Sequence, residues 1–252
     1  KMAQDALLKY SKSSILFNIL GAILFKQNKL KEAIHNYNHS IHLDPSYAQA
    51  YNNLGTVFHH INKPHEASKN FKKAIDLKNN FPEPCINLGN VLFEEGNFDE
   101  ALLYFKKTAE INPDFKMVFF NIGKTYMMLS QNEKALDNFQ NAMKFDSNSP
   151  QIYNNMGLAL CNLSRFSDSL SCFNKAIELN PKYEKAFNNL GNLFNQLENY
   201  KDSNNAYKEA IRIKPDYFKA YSNLLFNLIY KLDFDPKEYL KEAKKFRENY
   251  KP

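Results

Sequence analysis

The side chains whose type and spacing could do chemistry in this 252-residue chain are primary amides. Asparagine recurs every 34 residues, at Asn53, Asn87, Asn121, Asn155, Asn189 and Asn223. A primary amide offers both a hydrogen-bond donor and an acceptor, so it can pair with the N–H and C=O groups of an extended peptide whatever its side chains. We call these six residues the asparagine ladder, and they predict a peptide-binding surface.

The ladder is not a consequence of composition, although the chain contains 34 asparagines. At that background, six matches in seven copies have odds of roughly 4 in 100,000, or about 1 in 1,000 after allowing for every column of the repeat. A structural interpretation stays open, in which the amides pack neighbouring copies together. If the ladder binds peptide instead, alanine at Asn121, Asn155 and Asn189 should weaken binding and leave the melting temperature near wild type.

Three histidines have a spacing that a metal ion would accept, because His35, His39 and His42 fall at i, i+4 and i+7 of a predicted helix. The same columns are polar in the other copies, so we interpret them as an exposed stripe and predict no metal site. No GxSxG, HExxH or glycine-rich phosphate loop occurs in the sequence. We therefore predict neither catalytic residues nor a cofactor for this chain.

The elements that position the ladder follow from the glycines, six of which also recur every 34 residues. With this glycine as column 8, copies begin at residues 14, 48, 82, 116, 150 and 184, and a seventh begins at 218. Apolar residues at columns 4, 7, 8 and 11, and again at 20, 24 and 27, have helical spacing. Each copy therefore predicts two amphipathic helices, with the ladder at column 6 of the first.

Other columns predict how the two helices pack and end. Column 24 is aromatic throughout, while column 8 (Gly) and column 20 (Ala or Ser) are small enough to let the helices cross closely. Columns 15 to 17, such as 96–98, predict the turn between the helices. Proline at column 32 ends the second helix in most copies, since it disfavours helix in the residue before it.

These columns resemble the tetratricopeptide repeat, whose 34-residue pattern runs aromatic, Leu-Gly, Tyr, Ala, Phe, Ala, Pro. The resemblance implies an all-α, right-handed superhelical solenoid of antiparallel helix pairs, in which column 6 faces a concave groove. We assign residues 14–217 to six tandem repeats and residues 1–13 to the end of a preceding helix or an N-terminal cap. Residues 218–252 are assigned to a partial seventh repeat followed by a capping or junction helix.

The seventh copy starts in register and then departs from it. Leu225 replaces the glycine, and the columns that should be small or aromatic would fall on lysines. A new helix is predicted instead, with Asp235 as N-cap, Pro236 at its first position and Glu238 completing a capping box. We further predict a contact between Phe234 and Tyr239, and an apolar face formed by Leu240, Ala243, Phe246 and Tyr250.

This junction resembles the one through which O-linked N-acetylglucosamine transferases and their SPINDLY-type relatives join their repeats to a glycosyltransferase domain. The resemblance implies a substrate-recruiting superhelix of an intracellular protein O-glycosyltransferase that uses UDP-GlcNAc or GDP-fucose, with its catalytic domain after Pro252. The alternative is a non-enzymatic scaffold or adaptor that ends in a cap. A carboxylate clamp of the co-chaperone type is disfavoured because column 6 contains no arginine.

Composition bounds the partners. The net charge is +6, but the 33 basic residues are interleaved with 27 acidic ones, which indicates a solvated surface and no nucleic-acid footprint. Three cysteines without CxxC spacing are typical of a reduced cytoplasmic or nuclear protein. The apolar stretch at 14–26 falls on repeat columns, so we assign it to a helix and predict no membrane contact. The expected partners are extended segments of protein substrates or partner proteins, and a homodimer is left open.

Overall fold

The structure, a computed structural model, describes residues 12–115, 117–230 and 235–249, and these residues form fourteen α-helices and no strand. The helices are α1 (Ser14–Lys26), α2 (Leu30–Leu43), α3 (Ala48–His60), α4 (Pro64–Leu77), α5 (Pro82–Glu94), α6 (Phe98–Ile111), α7 (Val118–Met128), α8 (Asn132–Met143), α9 (Pro150–Asn162), α10 (Phe166–Leu179), α11 (Glu184–Gln196), α12 (Tyr200–Ile213), α13 (Phe218–Tyr230) and α14 (Pro236–Asn249). The predicted all-α solenoid of helix pairs is confirmed. Residues 1–11, which include most of the predicted N-terminal segment, lie outside the described residues.

The two helices of a copy are joined by a short turn in which column 15 has a positive φ. These residues are Asn28, Asn62, Gly96, Ser130, Ser164 and Glu198, with φ between 57 and 81°. The following residue bonds back to the helix, as when Lys29 N–H donates to Leu24 C=O at 2.9 Å. This pair of features is the Schellman motif, which satisfies the last carbonyl groups of the first helix.

In the first, second, third, fifth and sixth copies, the glycine of column 8 lies directly against the aromatic ring of column 24. A Cβ atom placed on Gly89 would lie 2.6 Å from Phe105 Cε1, closer than two carbon atoms can pack. Ser169 at column 20 also donates a hydrogen bond to Gly157 C=O at 2.7 Å. The close crossing predicted from the small columns is therefore present, and it buries the aromatic ring.

The chain divides into two compact units, Lys1–Leu129 (unit 1, α1–α7) and Ser130–Pro252 (unit 2, α8–α14). The division falls inside the fourth copy, between its two helices. In each unit, the second helix of one copy packs against the first helix of the next. Consecutive first helices also contact one another: α1 contacts α3, α3 contacts α5, α9 contacts α11, and α11 contacts α13.

The connection between copies is stabilised in one of two ways, according to column 31. Where this residue is Asp or Asn its side chain accepts a backbone N–H two residues on, as Asp44 Oδ1 does from Ser46 at 2.9 Å. Where it is Lys78 the ammonium lies 5.2 Å from the ring centroid of Phe81. Helix α4 therefore ends at Leu77, the column at which α2 ends, although the proline of column 32 is replaced by Asn79.

The helix after the seventh first helix begins as predicted. It starts at Pro236, and the side chain of Asp235 caps it by accepting the N–H of Lys237 at 2.9 Å. The predicted capping-box residue, Glu238, makes a different contact, because its carboxylate accepts a hydrogen bond from Lys208 Nζ at 2.9 Å. This ion pair ties α14 to α12.

The apolar face predicted for α14 is wrong at Leu240, because the helix is rotated about its axis relative to the prediction. Leu240 is 64% exposed, and the inward face is formed by Tyr239, Glu242, Ala243 and Phe246. The cause is aromatic packing, since Phe246 lies edge-on to the ring of Phe218 at 5.9 Å between centroids. The predicted partners Phe234 and Tyr250 lie outside the described residues. No helix in the described ranges is long and apolar enough to cross a membrane.

Candidate functional site

The six ladder asparagines occupy the same place on successive first helices, and all are half-buried. Unit 1 contains Asn53 on α3, Asn87 on α5 and Asn121 on α7, while unit 2 contains Asn155 on α9, Asn189 on α11 and Asn223 on α13. Within each unit, the first helices that carry them contact one another, except that α7 is joined to α5 by a hydrogen bond from Asn121 to Asn90. Three ladder residues therefore come together along one surface of each unit.

Most ladder residues are hydrogen-bonded to the asparagine at column 5 of the preceding copy. The side-chain Nδ2 of Asn53, Asn87, Asn189 and Asn223 donates to Oδ1 of Asn18, Asn52, Asn154 and Asn188, at 2.9, 3.1, 2.9 and 3.0 Å respectively. All four acceptors are at least nine-tenths buried. Each of these bonds therefore satisfies a buried amide oxygen and links two copies, and we call them the amide interlock.

Two ladder residues depart from this arrangement for reasons visible in the sequence. Column 5 of the third copy is Ile86, so Asn121 donates instead to Oδ1 of Asn90 on α5 at 3.1 Å. Column 5 of the fourth copy is Phe120, whose side chain has no acceptor oxygen. Asn155 donates at 2.8 Å to the backbone C=O of Gln151, one turn earlier on its own helix. Asn155 is therefore a ladder residue whose side-chain hydrogen bond stays within a single helix.

The ladder keeps hydrogen-bonding capacity beyond these bonds. An asparagine amide has two N–H groups, and the interlock uses one of them. The Oδ1 atoms of Asn87, Asn121, Asn155 and Asn223 accept no hydrogen bond from any residue that the structure describes. These four residues can thus each present an acceptor to a ligand, in an orientation fixed by the bond that Nδ2 makes. Three of them also keep a second N–H donor, whereas Asn223 donates to Oδ1 of both Asn188 and Asn192 at 3.0 Å.

The interlock changes the expected effect of alanine substitutions on stability. Removing a partner from a buried polar atom costs about 1–3 kcal/mol, so Asn189→Ala, which orphans the buried oxygen of Asn154, should lower the free energy of unfolding by that amount. Asn155→Ala should change it by less than about 0.5 kcal/mol, because its bond lies within one helix and is partly exposed. Urea denaturation followed by circular dichroism measures both. Equal losses in the two variants would contradict the interlock.

The column-5 asparagines position the ladder through these hydrogen bonds, and sequence reasoning did not single them out. Their signal is the repeated Asn-Asn dipeptide at 52–53, 154–155 and 188–189. One member of each dipeptide is buried as an acceptor and the other faces the half-exposed surface. The structural interpretation of the ladder is thus supported in part, and it is compatible with binding, since the interlock uses only some of each amide's groups.

The remaining reactive side chains form no site. His39 lies edge-on to Phe17, with 4.1 Å between ring centroids, while His35 and His42 are exposed. Within the described ranges no three His, Cys, Asp or Glu side chains are placed to hold a metal ion. Burial raises the pKa of the thiols of Cys85, Cys161 and Cys172, which disfavours the nucleophilic thiolate.

Sequence-family comparisons match most of the repeat region. Models described as TPR repeat match residues 21–62 and 123–164. Models described as tetratricopeptide repeat match residues 82–115, 150–183, 48–81 and 184–217. Together they span residues 21–115 and 123–217. The comparison with curated proteins gave no match.

Solved structures share the fold. YrrB, a TPR protein with an unusual peptide-binding site, aligns with a TM-score of 0.61 at 24% identity, over 74% of this chain and 96% of its own. PilF of Pseudomonas aeruginosa aligns with a TM-score of 0.69 at 17% identity, over 88% of this chain and 98% of its own. A chain of the APC/C heterotetramer Cut9–Hcn1 reaches 0.72 at 17% identity, over 90% of this chain and 45% of its own. At these identities the likeness shows the fold alone.

Proposed function

Because the chain belongs to the tetratricopeptide repeat family, we propose that it is a protein-binding scaffold whose asparagine ladder holds an extended polypeptide through its backbone. The observation that carries the proposal is the state of the ladder amides, which are half-exposed and oriented by hydrogen bonds within the protein. Four of them keep an oxygen atom that accepts no hydrogen bond from any described residue, namely Asn87, Asn121, Asn155 and Asn223. A preorganised amide loses little conformational freedom on binding, so more of its hydrogen-bond energy contributes to affinity.

The spacing of the ladder suits an extended ligand. Packed helices lie about 8–10 Å apart, and an extended peptide advances about 3.3 Å per residue. Each ladder amide would therefore meet roughly every third residue of the ligand. Since the available ladder oxygens are acceptors, the ligand's backbone N–H groups are their natural partners. Binding of this kind tolerates many ligand sequences, because side chains are not read.

The fold is also consistent with this proposal. YrrB, which aligns over 74% of the chain, is itself a TPR protein with a peptide-binding site. The ladder surface contains no reactive group that would suggest catalysis by these residues, and the thiols are held in their protonated form by burial. Recognition of an extended protein segment is the role that amides at this spacing support best.

Backbone N-methylation of the ligand tests the proposal. The probe is an acetylated and amidated peptide of about 12 residues of Ser, Thr and Val, compared with a twin that is N-methylated at every third residue. The methylated positions can be placed in three registers, so three such twins are compared. In the register whose N–H groups face the ladder, losing two or three donors should weaken binding by about tenfold or more, as measured by fluorescence anisotropy. Equal affinity for all twins would contradict backbone recognition.

We further propose that this scaffold recruits acceptor polypeptides for an intracellular protein O-glycosyltransferase. The resemblance of residues 220–246 to the junction of that family, together with the ladder, supports this role. The adaptor role needs no enzyme and predicts one dedicated partner. Mass spectrometry of the endogenous protein distinguishes them: a chain continuing past Pro252 with nucleotide-sugar-dependent transfer supports recruitment, and a single stoichiometric partner without transfer supports the adaptor.

A further inference from the structure

The charges on the first helices differ between the two units. In unit 2, the charged residues on α9, α11 and α13 are Glu184, Lys185 and Lys219. In unit 1, the corresponding helices carry Lys26, Glu83, Glu94 and Lys124. Glu83 stands at column 2, Glu94 pairs with His59 at 2.7 Å, and Lys124 lies three residues after Asn121. The first helices of unit 2 therefore carry two lysines and one carboxylate, with both lysines at column 2, whereas those of unit 1 carry two of each and no lysine at column 2.

Both lysines of unit 2 stand at column 2, one helical turn before a ladder asparagine. Lys185 precedes Asn189 and Lys219 precedes Asn223, each by four residues. Side chains at i and i+4 are neighbours on one face of a helix. The second copy shows that column 2 reaches the ladder, since Gln49 Nε2 donates to Asn53 Oδ1 at 3.0 Å. A lysine at this column lies beside the ladder and extends beyond it.

Neither lysine is neutralised by the parts of the protein that the structure describes. Both are exposed, and no described carboxylate lies within salt-bridge distance of either. The one acidic residue on these helices, Glu184, lies at the first position of α11 near Tyr183 and Tyr217. Burial raises the pKa of both phenols, and the charge of Glu184 adds to the effect.

We propose that Lys185 and Lys219 make the ladder of unit 2 selective for extended polypeptide segments with acidic side chains. The proposal rests on the proposed function, since the ladder holds the backbone while the lysines pair with carboxylates of the ligand. The two lysines stand on neighbouring first helices, about 8–10 Å apart, which matches two ligand residues about three positions apart. The preferred ligand carries Asp or Glu in an i, i+3 pattern.

The test compares two acetylated and amidated peptides of about 12 residues, one with Asp at every third position and one with Asn there. The wild-type protein should bind the Asp peptide about fivefold more tightly at low salt, and the preference should disappear near 0.5 M salt. The double variant K185Q/K219Q should bind both peptides equally. The variant K201Q/K241Q loses the same charge from exposed lysines on α12 and α14, away from the first helices, and should keep the preference.

The possible outcomes distinguish the selectivity of the two lysines from backbone binding by the ladder. A wild-type protein without preference, or a K185Q/K219Q variant that keeps the wild-type preference, would overturn the selectivity and leave the ladder intact, since the Asn peptide reports backbone binding alone. Loss of the preference in both double variants would assign it to net charge and also overturn the proposal. If neither peptide binds, both the proposed function and this inference fail.

Discussion

Phe105→Ala should lower the free energy of unfolding by about 3–5 kcal/mol, which is the usual range for truncating a fully buried phenylalanine. The ring is 1% exposed and lies in the crossing between α5 and α6, directly against Gly89. Since neighbouring copies share one core, the cavity also weakens their packing on this copy. Urea denaturation followed by circular dichroism measures the change.

Two further variants show whether the loss arises from this contact. Leu103→Ala removes a large side chain from the same helix, but one that is 63% exposed, and should cost less than about 0.5 kcal/mol. Gly89→Ala should cost about 1–3 kcal/mol, because its Cβ would lie 2.6 Å from the ring. In the Phe105→Ala background the same change should cost nothing. Additive losses would refute the contact as the cause.

The triple variant N155A/N189A/N223A should weaken binding of the Ser/Thr/Val peptide to unit 2 by about 150-fold. Each ladder amide contributes a hydrogen bond worth about 0.5–1.5 kcal/mol net, and three losses near the middle of that range multiply to this factor. The variant also loses two interlock bonds, so affinity must be measured at a temperature where circular dichroism shows it to be fully folded.

Asn138→Ala provides the matched control for the ladder variant. Asn138 lies on the second helix α8, and its side chain donates to Lys134 C=O at 2.8 Å, the same kind of bond that Asn155 makes on α9. The substitution should leave peptide affinity unchanged. An Asn138→Ala variant as weak as the triple variant would mean that binding depends on asparagines in general and not on the ladder surface.

Sequence periodicity predicted the helix pairs well because the same packing contact between two columns recurs in successive copies. The glycine of column 8 and the ring of column 24 recur together, and each side of that contact constrains the other. The start of α14 was also predicted correctly, because an Asp N-cap followed by Pro at the first helical position is a strong local signal for a helix start. Local capping and repeated small-to-large contacts are therefore readable from one chain.

Tertiary contacts without a repeat were not readable. The apolar face of α14 was misjudged at Leu240, because the rotation of that helix is set by Phe218 and Tyr221 on α13, which no local pattern specifies. The interlock was missed for a different reason. Asn52 and Asn53 are chemically identical neighbours in the sequence, and only the helix packing shows that one is a buried acceptor while the other is a half-exposed donor.

The most direct measurement of the central claim is nuclear magnetic resonance of the asparagine side-chain amides during titration with the Ser/Thr/Val peptide. Single alanine variants assign the resonances of Asn155, Asn189 and Asn223, with Asn138 on a second helix as reference. If the ladder holds the peptide backbone, the three ladder resonances shift together as the peptide saturates and the Asn138 resonance stays in place. Saturation without a shift of the ladder resonances would contradict the account.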